Sequence, residues 1–361
     1  MSNLTTTKLL SVYEQQAPRT RALTGLLRTA PENFHNSEDV EKDIIRNEEE
    51  IATVVTSVNS RGNKNEATVY TNKKFTPPIF DEEVSVNSFD MNHRQPGQTP
   101  FTDPRFRANA GSQLLRSAKK VEEKIQRAIE EMASQVFQTG KLVLNDQAGV
   151  QRFTMDFSPK ASHFPQVAVS WSNPASKPLL DLDSLANVIR DDGLVDSNRV
   201  IMGDLAFENF INNSTVKERL DNRRMQLGEV APKMRGNGAV FQAFVWQGNY
   251  RYEIWTYNGR YKHPVTGVST RYVGQNNVIM LSSESTVVDL TMGSIPLIVA
   301  PDPRVRAFIP GSLGSAQRGM KLSVNAWISE NNKTISMEVG TRPLVIPTGI
   351  DTFGTLNTVQ P

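Results

Sequence analysis

The chain contains no cysteine. That absence removes disulfides, thiolate nucleophiles, thiolate zinc sites and iron–sulfur clusters together. Histidine is scarce as well. His35, His93, His163 and His263 are scattered, none has a second ligand-type residue at metal spacing on a helix, and each reads as a surface or hydrogen-bonded side chain. There is no G-x-x-x-x-G-K-[ST] phosphate loop and no G-x-S-x-G nucleophile elbow, so two common catalytic frameworks are missing. No apolar run approaches the ~20 residues of a membrane span. The opening Met1-Ser2-Asn3-Leu4-Thr5-Thr6-Thr7 lacks the basic and apolar regions of a signal peptide, which leads to the expectation of synthesis and folding in a reducing cytoplasm. An excess of one charge is missing too: 40 Lys+Arg against 38 Asp+Glu give +2, far from the basic surplus of a dedicated nucleic-acid binder.

What is present is a chain of 361 residues, 38% hydrophobic, with a mean hydropathy of -0.41. It is long enough for two or three domains but slightly poor in core material, so part of it is expected to lie outside any core of its own. Residues 1–45 read as an arm. Leu4, Leu9, Val12 and Tyr13 precede Pro18, and Leu23 to Leu27 end at Pro31; neither piece is long enough to be stable alone. Residues 46–85 then read as an extended hairpin loop, Ile51 to Val58 and Ala67 to Phe75 flanking the polar turn Asn59 to Asn65. Ile51, Thr53 and Val55 lie on one face and Ala52, Val54 and Val58 on the other, so neither face is cleanly buried or cleanly wet. An isolated two-stranded ribbon is marginal in water. The pattern suits an arm that completes its packing on a neighbouring subunit, and it equally suits an ordinary surface hairpin. On the first reading Ile51, Val54, Val58, Arg61, Lys64, Lys73, Lys74 and Phe75 are inter-subunit contact candidates.

The strongest signal is a helix over 104–139. Asp103 suits the N-cap, Pro104 the first position and Gly140 the C-terminal close. Between them Ala110, Leu114, Ala118, Val121, Ile125, Ile129, Met132 and Val136 recur at three- and four-residue spacing. Such a helix is roughly 50 Å long. A coiled coil is the rival reading, but the lack of a strict heptad favours a helix lying across a sheet.

Lys141 to Asn145 and Val150 to Phe157 read as a hairpin, and residues 158–180 as a crossing into a second domain. That domain is expected to hold a helix at Leu182 to Asp192 closed by Gly193 and a strand at Arg199 to Met202. A helix capped by Asp204 and another with a capping box at Thr215 and Glu218 follow. Strands at Ala239 to Trp246, Tyr250 to Tyr257 and Val278 to Ser282 come next, and Leu322 to Ile346 supplies two short strands. The paired carboxylates Asp181/Asp183 and Asp191/Asp192 flank a helix and read as capping groups before catalytic ones. Arg223 and Arg224 lie among Glu218 and Asp221, which points to a solvated helix face or an inter-subunit ion-pair site. The aromatic set Phe241, Phe244, Trp246, Tyr250, Tyr252, Trp255 and Tyr257 sits at strand spacing and reads as core.

Val216-Lys217-Glu218-Arg219-Leu220-Asp221-Asn222-Arg223-Arg224 closely resembles the V-K-E-K-L-D-x-R-R segment of lambda-like tailed-phage major capsid proteins, the phage capsid protein E family. Thr6-Thr7-Lys8-Leu9-Leu10 is similar to that family's T-T-x-x-L-L opening. Asp103-Pro104-Arg105-Phe106-Arg107 with Val121-Glu122-Glu123 is similar to its entry into the long helix, and Arg342-Pro343-Leu344-Val345-Ile346 to its S-x-P-L-M-x-L close. The nonapeptide is fairly specific; the others persuade by their order, and 225–275 shows little match.

The resemblance implies an α+β fold of the tailed-phage and herpesvirus major capsid type (Hong Kong 97-type). Its parts would be an N-terminal arm (1–45), an extended hairpin loop (46–85), a peripheral domain (86–180 plus 305–361) with a spine helix, and an axial domain (181–304). It implies no enzymatic activity and no cofactor or metal. It implies a subunit that self-assembles, as hexamers and pentamers, into the icosahedral shell of the virion head around double-stranded DNA held without sequence-specific contact. A portal, a separate scaffolding protein and a decoration protein are the further partners implied. Some capsids of this fold join a hairpin lysine covalently to a neighbour's asparagine; the polar surroundings of Lys64 lead to the expectation of non-covalent assembly here. The alternatives are a monomeric β-rich binding module and an α+β hydrolase without a recognisable motif, both separable from a shell subunit by particle size.

Overall fold

A computed structural model of the protein describes residues 21–35, 39–45, 70–87, 106–219, 233–234, 238–248, 250–283, 287–295, 323–330 and 333–360. In chain order the strands that build the body are β1 (Val40–Ile45), β2 (Tyr70–Phe75), β3 (Phe80–Asn87), β4 (Lys141–Asn145), β5 (Gln151–Asp156), β6 (Arg199–Met202), β7 (Lys233–Met234), β8 (Ala239–Gln247) and β9 (Tyr250–Tyr257). They continue with β10 (Arg260–Lys262), β11 (Ser269–Arg271), β12 (Asn277–Leu281), β13 (Val288–Met292), β14 (Ser323–Ile328), β15 (Thr334–Thr341), β16 (Pro343–Pro347) and β17 (Phe353–Asn357). The α-helices are α1 (Phe106–Thr139), α2 (Pro178–Gly193), α3 (Asp204–Asn212) and α4 (Ser214–Arg219).

The long helix forms where its periodicity predicts. Val121, Ile125, Ile129, Met132, Val136 and Phe137 are buried, a seam repeating every three or four residues. Over 34 residues the helix is roughly 50 Å long at 1.5 Å per residue. It ends where Gly140 adopts φ +62, with its N–H donating to the Val136 carbonyl at 2.9 Å. A side chain there would be strained in this left-handed region and would also meet the Pro159 ring at 2.4 Å.

The central sheet has six strands in the order β17-β12-β6-β9-β8-β7. Its neighbouring residues point to opposite faces, and both faces are covered. Ile201, Trp255, Tyr257, Ile279, Leu281 and Phe353 join one core with the seam of α1. Val200, Met202, Ile254, Val278, Met280 and Leu356 join a second core with Leu182, Leu185 and Ile189 of α2 and Ala206 and Phe210 of α3. A three-stranded sheet, β14-β15-β3, and the pair β13-β16 also line the α1 side.

Several sequence expectations need correction. A ribbon strand lies ahead of residue 46: β1 pairs antiparallel with β2, with Val40 in register with Phe75 and Ile45 with Tyr70, while the strand expected at Ile51 to Val58 lies outside the described residues. Residues 80–85 are not part of that ribbon but of β3, which pairs with β15. Leu322 to Ile346 holds three strands among the described residues, β14, β15 and β16, instead of two, and beyond them β17 lies at the edge of the central sheet beside β12. Asp204 starts α3 without capping it: Gly203 holds the N-cap position and the Asp204 carboxylate pairs with Arg271. The cap of α4 is Asn213, whose side-chain oxygen accepts from the Thr215 N–H at 3.0 Å and hydroxyl at 2.6 Å.

At the end of α2 the left-handed residue is Leu194, at φ 54, not Gly193. Gly193 answers to a different constraint: a Cβ there would stand 2.2 Å from the Asp351 carbonyl oxygen. Helix propensity alone favours alanine by about 1 kcal/mol, so Gly193→Ala separates the two effects. We expect the clash to win and the variant to lose about 1–3 kcal/mol of stability, seen as a lower urea midpoint at unchanged slope. A stabilised variant would show that the close approach is soft.

Candidate functional site

Among the described residues, three places concentrate the polar and exposed chemistry. The first is the root of the β1–β2 ribbon. Phe75 is buried and packs its ring on Phe157 at 5.8 Å. The exposed Lys74 ammonium lies 2.7 Å from Asp39, whose carboxyl is held below the ordinary range by Lys74 and the Thr76 hydroxyl. An exposed pair of this kind adds little stability, so the buried ring is the stronger anchor. Directly after β2, the buried Arg342 donates from Nε and Nη2 to the Pro77 carbonyl at 3.3 and 3.0 Å, and from Nη1 to the Ser294 carbonyl at 2.9 Å. One guanidinium thus clamps the chain where it leaves the ribbon to the chain that follows β13. Sequence reasoning saw Arg342 only as part of a terminal motif.

Of the sequence-predicted contact residues, the structure therefore places Phe75 inside the subunit's own core and Lys74 beside Asp39, with Lys73 opposite Lys42 in the ribbon. Ile51, Val54, Val58, Arg61, Lys64, Arg223 and Arg224 lie outside the described residues.

The second place is Glu130, fully buried in the C-terminal third of α1. Its carboxylate accepts the Leu23 N–H at 2.8 Å, the Thr24 N–H at 2.7 Å, the Thr24 hydroxyl, and the Tyr257 hydroxyl at 2.7 Å. Leu23 and Leu27 are buried beside it. The segment then runs alongside β13, with Arg28 N–H donating to Val288 O and His35 N–H to Met292 O, both at 2.9 Å. The N-terminal segment, unable to hold itself, is thus fixed to α1 by three donors on one carboxylate, which Tyr257 of β9 also engages. Next to it, Glu131 accepts the Tyr261 hydroxyl at 3.0 Å, and Tyr257, Tyr272 and Tyr261 stack at centroid distances of 6.1 and 5.0 Å. Burial pushes both carboxyls up, and their hydrogen bonds pull partly back. Burial, and then the same acids, raise the Tyr257 and Tyr261 hydroxyls.

The third place is the outer part of β8 and β9. The aromatic set predicted as core divides there: Tyr252 and Tyr257 are fully buried, whereas Phe244 and Trp246 are exposed. Arg251 lies over the Phe244 ring at 3.9 Å.

The remaining titratable groups act as ties between segments. Trp171 Nε1–H donates to Asp181 at 2.8 Å, and the Tyr252 hydroxyl donates to Asp183 at 2.7 Å. Buried His163 has Nδ1 2.9 Å from the Phe353 carbonyl and Nε2 3.1 Å from Asp192. Asp192 also pairs with Lys160, which holds its carboxyl below the usual range. His263 Nδ1 faces the Val265 and Thr266 N–H groups at the tip of the β10–β11 hairpin. Among the described residues no cluster of three or more His, Asp or Glu is placed to hold a metal ion, and no helix is long and apolar enough to cross a membrane.

The family model for the phage major capsid protein E matches residues 5–356. Among solved structures, the chain is similar to one described as a prophage capsid protein of E. coli CFT073, at 16% identity and TM-score 0.58, over 80% of this chain and 79% of that one. It is also similar to the capsid structure of Cyanophage P-SCSP1u, at 10% identity and TM-score 0.51, over 96% of this chain and 90% of that one. At such identities the likeness is one of fold. No curated protein matches the chain in sequence.

Glu130 yields a test with a definite sign. Its carboxyl is raised by burial above the 4.5 of an ordinary glutamate, so the folded chain binds that proton more tightly than the unfolded one. The associated stability is fully present below 4.5 and is lost as pH rises through the raised value. The wild type should therefore gain stability relative to Glu130→Gln as pH falls from neutrality toward 4.5, measured by urea unfolding. A flat or opposite difference rejects this account. Glu130→Ala, which strands several buried donors, should lose at least ~2 kcal/mol at any pH.

Proposed function

This chain belongs to the phage major capsid protein E family and is a structural subunit of an icosahedral tailed-phage shell, and from that premise we propose that it joins its neighbours through non-covalent contacts led by the β1–β2 ribbon. The family match over residues 5–356 carries the shell reading. The ribbon reading is supported by its root: Phe75 and Arg342 fix the base firmly to the body, so contacts made farther along the ribbon would be transmitted to the whole subunit. An isolated two-stranded ribbon has little stability of its own, and a neighbouring copy would supply the missing packing.

The unit built on the six-stranded sheet with α2, α3 and α4 would be the axial domain, and α1 with the β14-β15-β3 sheet the peripheral one. The subunit would perform no catalysis and need no cofactor. A near-balanced charge fits a wall lying beside packaged double-stranded DNA without gripping it. A separate scaffolding protein, a portal and a decoration protein are the partners such a head would use, within a host bacterial cytoplasm.

Assembly by weak contacts needs no reaction between side chains. Attack on an asparagine would require a neutral, desolvated lysine amine, while Lys74 sits exposed in a salt bridge. Particles boiled in detergent should therefore run as one band near 40.2 kDa, and a ladder of irreducible multimers would overturn the non-covalent reading. Deleting Val58 to Ala67 should leave a folded chain that no longer closes into particles in negative stain. Normal particles from the deletion chain would rule the ribbon out as a required contact.

A further inference from the structure

Phe244 and Trp246 are 43% and 59% exposed, although strands β6 and β12 of the same sheet are buried on both faces. A local slip explains how they come to lie together. β8 pairs Phe241 with Trp255 but Ala243 with Ile254, so Gln242 is an extra residue in the ladder. Beyond it Val245 turns into the core covered by α2 and α3, while Phe244 stands opposite Glu253 and Trp246 opposite Arg251 on the other face. The Arg251 guanidinium lies 3.9 Å from the Phe244 ring centroid and 5.7 Å from that of Trp246. The three make one aromatic, cationic patch, of the composition that dominates binding energy at protein interfaces.

A second patch has the opposite character. α3 buries Ala206 and Phe210 against the sheet and presents Leu205, Glu208 and Ile211 outward at three-residue spacing. Leu205 and Ile211 are each 40% exposed, and the carboxylate-bearing Glu208 lies between them. α3 covers the face of the sheet into which Tyr252 and Ile254 point, whereas Arg251 points from the other face. The two patches thus look away from one another and cannot meet within one chain.

We propose that they meet between neighbouring copies: the Leu205–Glu208–Ile211 ridge of one subunit lies on the Phe244–Trp246–Arg251 face of the next, with Glu208 against Arg251. The proposal rests on the shell reading and adds a surface to it. Two patches of opposite charge on opposite faces make a head-to-tail contact, which closes into a ring when the rotation permits. A self-contact of the aromatic patch would instead set Arg251 against Arg251, which like-charge repulsion disfavours.

Charge reversal tests the pairing. Glu208→Arg and Arg251→Glu, each at an exposed site and each checked for an unchanged urea midpoint, should lower particle yield in negative stain by at least about tenfold. The double variant E208R/R251E should restore it. Singles that assemble normally, or a double that stays blocked, overturn the contact. Because the chain has no cysteine of its own, E208C/R251C oxidised after assembly should also give a reducible ladder of multimers, with E208C or R251C alone remaining monomeric on the gel. Dimers from R251C alone would mean a self-contact and sink the proposal. Wild-type chain that forms no particles would fail the shell reading itself, a result distinct from wild-type particles whose variants are indifferent.

Discussion

A sheet with helices packed on both faces must be apolar on both, and that constraint organises this subunit. Val200, Ile201 and Met202 alternate between two cores, as do Val278, Ile279, Met280 and Leu281. Such strands read as continuous hydrophobic runs instead of alternating ones. The result is one layer shared by α1 on one side and by α2 and α3 on the other, so neither helix set can shift without disturbing strands that also line the opposite core. The last strand enters on the same terms: Phe353 faces α1's seam and Leu356 the second core. Gly354 lies between, where a Cβ would stand 2.6 Å from the His163 carbonyl.

Polar groups then fix the register of what hydrophobic burial brings together. Each buried tie joins segments distant in sequence: Glu130 to Leu23 and Tyr257, His163 to Phe353 and Asp192, Arg342 to Pro77 and Ser294. Burial makes these costly to break, because a donor or acceptor left alone in a low-dielectric interior loses its full solvation. The carboxylates at the helix ends follow the same logic. Asp181, Asp183 and Asp192 hold Trp171, Tyr252 and Lys160, so these acids join α2 to its surroundings.

The parts of this architecture legible in the sequence are those where one local rule governs. α1 shows its 3.6-residue seam and its closing Gly140, Arg199–Met202 is a short apolar run, and Tyr250–Tyr257 is a stretch rich in aromatic and β-branched residues. What sequence reading misses depends on partners far along the chain. Val40–Ile45 reads V-E-K-D-I-I, without alternation, and becomes a strand because Tyr70–Phe75 pairs with it. Phe80–Asn87 is acidic and polar, yet it forms the edge of a sheet whose other strands arrive some 250 residues later. The last strand is masked by its glycine. The aromatic set of β8 and β9 could not be divided into buried and exposed members, because a bulge at Gln242 decides which face Phe244 and Trp246 occupy, and nothing in the local composition announces it.

A shell subunit must be stiff within and weakly held without. Contacts between copies have to be reversible while errors are being corrected, and a subunit engaged at several places is then retained because each contact raises the effective concentration for the next. That division of labour fails if the body deforms under load, since the second contact would no longer find its partner in place. The arrangement here meets the requirement in a specific way. The ribbon is rooted through Phe75 to Phe157 beyond β5 and through Arg342 to the chain beyond β13, the N-terminal segment is rooted through Glu130 to α1, and both are built on the same core as the central sheet. A displacement at any one of these elements therefore meets the resistance of the whole core, and such stiffness is what a wall built from individually modest contacts requires.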